Sequence, residues 1–167
     1  VARRAAGFGM QILFFDPSPP TDWIACGVRA EPVGLDVLLK ESDFITIHTP
    51  LNEQTHHLFN AGAFEKMKSS AILVNTARGP IVDQSALYDA LSSGQIAGAA
   101  IDVTTPEPLP PDSPLLQLEN LIITPHIASA SHATREKMAI MAAENLLAGL
   151  RGDRLPYCVN PEVYSSS

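Results

Sequence analysis

Three side chains of this sequence, Arg78, Glu107 and His126, are of the types that reduction of a carbonyl beside a carboxylate requires. A guanidinium is a permanent cation that grips a carboxylate through two parallel hydrogen bonds. An imidazole gives or takes a proton near neutral pH. A carboxylate beside an imidazole favours the charged ring and raises its pKa. Together they suit hydride transfer to a 2-oxo acid. The cation fixes the carboxylate and polarises the carbonyl, and the imidazole protonates the developing alkoxide. Taken singly, each has a plainer explanation: Arg78 as a surface cation, Glu107 as a solvated loop residue, His126 as a capping or core histidine. What they share is a predicted place at the carboxyl ends of strands, where open α/β sheets bind ligands.

The elements that must position them follow from pattern. Residues 71–74 are a short apolar run bounded by polar residues, which suits a strand buried on both faces. Gly79-Pro80 is a turn signal, and Asp83 can cap a helix whose Leu87, Ala90 and Leu91 recur at i, i+3, i+4 before Gly94. Residues 1–9 read as the back half of a helix that ends at glycine without a cap or first turn, so a truncated start is expected. Residues 11–15 form a compact strand closed by Asp16 and by Pro17, Pro19 and Pro20. Asp16 has two readings, a ribose-binding carboxylate or a turn-forming Asp-Pro. Residues 28–30 suggest a short strand, Leu35, Leu38 and Leu39 one helical face, and residues 44–48 another strand that ends in Thr49-Pro50.

The segment through Thr55, His56 and His57 reads as loop, and Asn60 caps a short helix that runs to Met67. Residues 96–101 close on Asp102, a proline-rich loop surrounds Glu107, and the strand 121–124 stops at Pro125-His126. From Ser131 to Leu150 the residues Met138, Met141, Ala142, Leu146 and Leu150 mark one apolar stripe on a helix roughly 30 Å long. Gly152 ends it, which divides the chain into a domain at 1–152 and an extended tail at 153–167. Strands alternating with helices predict an α/β fold, a parallel doubly wound sheet.

Bulk properties narrow the function classes. The chain has 167 residues, 46% hydrophobic and 17% charged, as expected for one globular domain. No apolar run approaches the roughly 20 residues of a membrane span, and no signal peptide is expected. A formal charge of −7 argues against nucleic acid and anionic membranes as partners. Cys26 and Cys158 are far apart, without metal-ligand spacing, so reduced thiols in a cytoplasmic protein are expected and no metal site is.

Four blocks carry a family resemblance: Asp43-Phe-Ile-Thr-Ile-His-Thr-Pro-Leu51, Val74-Asn-Thr-Ala-Arg-Gly-Pro-Ile-Val-Asp83, Gly98-Ala-Ala-Ile-Asp-Val-Thr-Thr-Pro-Glu-Pro108 and Thr124-Pro-His-Ile-Ala-Ser129. In content and order they resemble the D-isomer-specific 2-hydroxyacid dehydrogenases, over nearly the whole chain. The resemblance implies a Rossmann-like NAD-binding domain. It implies Arg78 as substrate anchor, His126 as acid/base and Glu107 as its partner. Asp16 would hold the adenosine ribose, and a carboxylate there would repel a 2′-phosphate, which favours NAD over NADP. Thr49, Pro50, Thr55, Thr76, Ala77, Arg78, Asp102, His126, Ala128 and Ser129 would line the cofactor site, with Asp102 near the nicotinamide carboxamide.

The chain departs from the family pattern in places. The glycine-rich G-x-G-x-x-G loop that seats a pyrophosphate is not in it, nor the strand before that loop, nor the substrate domain. Thr104 and Thr105 stand where a phenylalanine and an acidic residue are common. The expectation is therefore a fragment, inactive alone and weak toward NAD. Its parent would interconvert 2-oxo and D-2-hydroxy acids as a homodimer, and the end of the chain is compatible with the glyoxylate/hydroxypyruvate reductase type. The tail would return to the substrate domain. The alternative is an NAD-binding corepressor on the same scaffold. Formate-type dehydrogenases, with glutamine in place of Glu107, fit less well.

Overall fold

The computed structural model describes residues 1–18 and 28–165. Pro19, Pro20, Trp23 and Cys26 lie outside the described residues. The chain forms two compact units, Val1–Pro125 and His126–Ser167.

From Leu35 to Ile101 the first unit alternates helix and strand as its pattern predicts. It comprises α1 (Ala2–Ala6), β1 (Ile12–Phe14), β2 (Ala30–Pro32), α2 (Leu35–Glu41) and β3 (Phe44–Ile47). It continues with α3 (Ala61–Phe64), β4 (Ile72–Asn75), α4 (Gln84–Ser92), β5 (Gly98–Ile101) and β6 (Leu121–Ile123). Every strand pairing is parallel. The ladder is not continuous, however: β1 pairs with β2, and β3-β4-β5-β6 form a separate four-stranded sheet. The strand foreseen at 28–30 lies two residues later, and Val33 N–H extends its ladder by donating to Phe14 O at 2.9 Å.

Register sorts the side chains of the larger sheet. Ile45, Leu73, Ala99 and Leu121 form one cross-strand row, and Ile47, Asn75, Ile101 and Ile123 the next on the same face. Ile45, Ile47, Leu73, Ala99 and Ile101 are buried in one cluster with Leu39 of α2, Phe64 of α3 and Leu87, Ala90 and Leu91 of α4. The intervening rows point the other way because successive side chains alternate. There Phe44 and Ile122 are 56% and 67% exposed, and Ile72 and Val74 are half-buried. Burial of 71–74 on both faces is thus corrected to burial on one. The helices named above cover a single side, so the even-numbered positions of β4 keep partial contact with solvent.

The second unit is built on α5 (His132–Arg151), 20 residues long. Ser131 caps it by accepting from Thr134 N–H at 3.2 Å. Gly152 ends it with φ 76, a left-handed conformation open to glycine at little cost. The segment after Gly152 differs from the expected extended tail. Asn145 Oδ1 accepts from Tyr157 N–H at 3.0 Å, its Nδ2 donates to Tyr157 O at 3.3 Å, and Leu155 N–H donates to the Tyr164 hydroxyl at 3.0 Å. Residues Pro161–Ser165 then make a 3-10 turn. The Tyr157 backbone groups find a partner on the helix and the Leu155 amide one within the segment, which folds the segment back.

Candidate functional site

The loop after β4 is held from both sides. Asn75 is 1% exposed, and its carboxamide works at both ends: Oδ1 accepts from Ala77 N–H at 3.0 Å and Nδ2 donates to Arg78 O at 2.9 Å. A buried amide with unpaired groups would be costly, so this turn and this side chain specify one another. Arg78 is exposed, with Nη1 donating to Ala77 O at 2.6 Å. Gly79 is buried, and a Cβ built on it would lie 2.1 Å from Thr104 O. Only glycine therefore lets the Arg78 loop meet the loop after β5 this closely.

Below the turn, Asp83 caps α4. Its Oδ1 accepts from Ser85 N–H at 3.0 Å, from Ala86 N–H at 3.2 Å and from the Ser85 hydroxyl at 2.6 Å. The Ser85 hydroxyl, followed by the two backbone donors and the nearby His57, holds the Asp83 carboxyl below the usual carboxylate range. The His57 side chain is 3.9 Å from Asp83 Oδ2, and His57 N–H donates to Pro80 O at 2.8 Å.

Ile47 pairs with Asn75, so β3 and β4 end level with one another and their loops leave side by side. His48, Thr49, Pro50 and Leu51 from the first loop and Thr76, Ala77 and Arg78 from the second line a cavity of about 500 Å³. Thr49, Pro50, Thr76, Ala77 and Arg78 thus share one cavity. Thr55 is not among the residues lining the cavity. Its hydroxyl donates to Pro50 O at 2.6 Å and accepts from Asn52 N–H at 2.9 Å, closing the loop on itself. His48 does line the cavity, within 2.9 Å of the Thr46 hydroxyl. From sequence it reads only as the end of a strand. The strand-end argument used for Arg78 applies to it equally.

The β5 end adds Asp102, buried at 4% exposure, whose Oδ1 accepts from the Thr124 hydroxyl at 2.5 Å. Its backbone N–H donates to Asn75 O at 2.9 Å, which ties the ends of β4 and β5 together. Beyond it, the Thr104 hydroxyl donates to Pro106 O at 2.9 Å, and Thr104 N–H lies 3.4 Å from Glu107 Oε2. Gln84, the first residue of α4, meets Thr105 with both ends of its carboxamide. Neither Gln84 nor Asn75 was foreseen as part of the site. Both are uncharged amides with no motif of their own, and only the fold shows what they reach.

Asp16 follows β1, is exposed, and accepts from Ser18 N–H at 2.8 Å, a side-chain-to-backbone turn. His126, Ala128 and Ser129 begin the second unit and are exposed. The His126 backbone is left-handed, with φ 54.

A parallel sheet with polar loops gathered at its carboxyl ends is common to many dinucleotide folds, and comparison with known proteins narrows the family. Residues 1–128 match the model of the D-isomer specific 2-hydroxyacid dehydrogenase, NAD binding domain. The chain belongs to this family. It is 54% identical over 163 residues to a glyoxylate reductase of Korarchaeum cryptofilum, an alignment covering 98% of the chain and 49% of that relative. It is 49% identical over 156 residues to the glyoxylate reductase/hydroxypyruvate reductase of Mus musculus, covering 93% and 48%. The chain therefore spans about half the length of the curated relatives it matches.

Among solved structures, the TT0316 protein of Thermus thermophilus superposes with a TM-score of 0.86 at 48% identity, over 93% of this chain and 48% of that one. D-lactate dehydrogenase with NAD+ from Lactobacillus jensenii gives 0.86 at 29% identity, over 95% and 51%. The expected α/β class and the NAD-binding assignment accord with these matches. Among the described residues no helix is long and apolar enough to cross a membrane.

Proposed function

We propose that the full-length protein is a cytoplasmic oxidoreductase that interconverts small 2-oxo acids and D-2-hydroxy acids with NAD. The observation that carries the proposal is the placement of Arg78. It is an exposed guanidinium at the rim of a strand-end cavity, on a turn that buried Asn75 fixes at two points. Such a cation takes a substrate carboxylate in two parallel hydrogen bonds and orients the adjacent carbonyl. In this reading His126 is the acid/base that serves the nascent alkoxide and Glu107 is its partner. Arg78 and Glu107 sit on adjoining loops, which supports their working on one substrate.

The donor set fits parts of a dinucleotide. Thr49, Pro50, Thr76 and Ala77 offer hydroxyls and backbone groups around the cavity, and the exposed Asp16 carboxylate suits a ribose diol. Asp102 sits behind the β4 and β5 ends, where it holds Thr124 and would face the carboxamide end of the cofactor. Thr55 acts by shaping the Pro50 loop. When bound, NAD supplies the hydride-transfer chemistry. The residues present include no G-x-G-x-x-G loop, so this chain alone is expected to bind NAD weakly and to lack turnover.

The glyoxylate and hydroxypyruvate reductases among the relatives favour those two acids as substrates. A homodimer through α5 is proposed from its stripe, on which Met138, Leu146 and Leu150 are 59%, 63% and 76% exposed. Steady-state assays of the full-length gene product with both acids, and with NADH against NADPH, test the reading. Turnover with a preference for NADH is expected. Arg78→Ala should then raise KM for the 2-oxo acid by roughly a hundredfold, as loss of a bidentate charge contact implies. No turnover with any 2-oxo acid would favour the corepressor instead.

A further inference from the structure

The loop that carries Glu107 is joined to the helix behind Arg78 by one side chain. Gln84 Nε2 donates to Thr105 O at 2.5 Å, and Gln84 Oε1 accepts from Thr105 N–H at 2.7 Å. A carboxamide that meets both backbone groups of one residue reproduces a two-bond ladder step between segments 21 residues apart. Gln84 is well placed for this. As the first residue of α4 it follows the Asp83 cap, so its backbone direction is set by the three hydrogen bonds to Asp83 Oδ1. Thr105 is two residues before Glu107, and the same loop touches Gly79, next to Arg78, through Thr104.

Two independent joints hold the loops together, the Gly79–Thr104 approach and the Gln84–Thr105 pair. Arg78 itself is fixed separately, by Asn75. The division of labour follows. Asn75 sets the cation, while Gln84 sets the height of the 104–107 segment relative to it.

We propose that Gln84 is a positioning residue for the reaction, holding the Glu107 loop in register with Arg78 through the Thr105 peptide. This rests on the oxidoreductase reading above. Gln84 acts through Thr105 and Glu107 and touches no reacting atom. Its loss therefore falls on the proton-transfer step rather than on carboxylate binding. Displacement of a catalytic group by about 1 Å can cost up to a hundredfold in rate, so a loosened rather than lost contact is expected to cost roughly tenfold.

The test uses the full-length gene product carrying Gln84→Met, which keeps the side-chain length and removes both hydrogen bonds. Expected are kcat for 2-oxo acid reduction down roughly tenfold, KM for the 2-oxo acid within about twofold, and faster amide exchange over residues 103–109 with α4 unchanged. Should Gln84→Met not fold, Gln84→Asn, one methylene too short to reach Thr105, carries the same expectation. A lower melting temperature with kcat retained would reduce Gln84 to a stabilising contact and overturn the proposal. So would a fall in kcat with unchanged exchange over 103–109, or a loss confined to KM. If the wild-type protein turns over no 2-oxo acid, the oxidoreductase reading fails and this role with it. If the wild type is active and the variant matches it, only this inference fails.

Discussion

Helices α4 and α5 carry similar apolar stripes and meet opposite fates. In α4, nine residues long, Ala86, Leu87, Ala90 and Leu91 are all buried against the sheet. In α5, more than twice that length, no residue is buried. Short helices are marginal alone and gain their stability from packing, and α4 is that case: a strong cap and a wholly used apolar face. α5 relies on length, on Ser131 and Gly152 at its ends, and on the folded-back segment paired with Asn145. A periodic stripe in a sequence therefore shows that a face is meant for burial, without naming what buries it.

The sharpest way to break that contrast is the same substitution in each helix. Leu87 is fully buried, so Leu87→Ala should lower the stability of the 167-residue chain by about 2–5 kcal/mol in urea unfolding. Leu146 is 63% exposed, and Leu146→Ala should stay within about 0.5 kcal/mol at high dilution. A large loss from Leu146→Ala in dilute protein would mean that α5 is covered in solution. A loss that appears only as concentration rises would identify a second copy as the cover.

Glycines extend the comparison with a change of sign. A methyl on Gly79 would lie 2.1 Å from Thr104 O, a backbone atom that cannot rotate aside. Gly79→Ala should therefore cost about 1–3 kcal/mol and part the Arg78 and Glu107 loops. A methyl on Gly149, inside α5, meets Leu155 Cδ2 at 3.5 Å, an ordinary contact. Gly149→Ala should stabilise by up to about 1 kcal/mol, the helix-propensity difference. Thermal unfolding of both variants reads the two signs directly. Equal effects at the two sites would contradict the tight crossing at Gly79.

How far the sequence reveals this molecule follows the range of each interaction. Helix caps at Asn60 and Asp83 are legible because the cap and the amides it satisfies are two or three residues apart. The order of strands and helices and the turn at Gly79-Pro80 are legible for the same reason. The gap between β1 and β3 matches the family strand that the sequence lacks, whereas the open sheet face at Phe44 and Ile122 and the return of residues 153–165 onto α5 depend on partners distant in the chain. At the candidate site, the charged residues announce themselves by type. Asn75 and Gln84, which hold the loops of those residues, do not. An amide's task is set by which backbone groups it meets, and for Gln84 those belong to a residue 21 positions away.

The caps supply the smallest and most discriminating test. Asp83→Ala and Ser131→Ala each remove a side-chain acceptor from a helix N-terminus and should each cost about 1 kcal/mol at neutral pH. They should part company in acid. The Asp83 carboxyl is held below its ordinary range in the folded chain, chiefly by the Ser85 hydroxyl. A depressed folded pKa contributes stability that is complete above the unfolded value, about 3.9, and is lost as pH falls through the folded one. The deficit of Asp83→Ala relative to the parent should accordingly shrink as pH drops from about 5 toward about 3. A serine hydroxyl does not titrate, so the deficit of Ser131→Ala should hold across that window. Parallel urea titrations at several pH values compare the two. A deficit at Asp83 that is flat with pH would mean that the charge on its carboxylate adds nothing to the cap. The cap would then act as a neutral acceptor of the Ser85 and Ala86 amides.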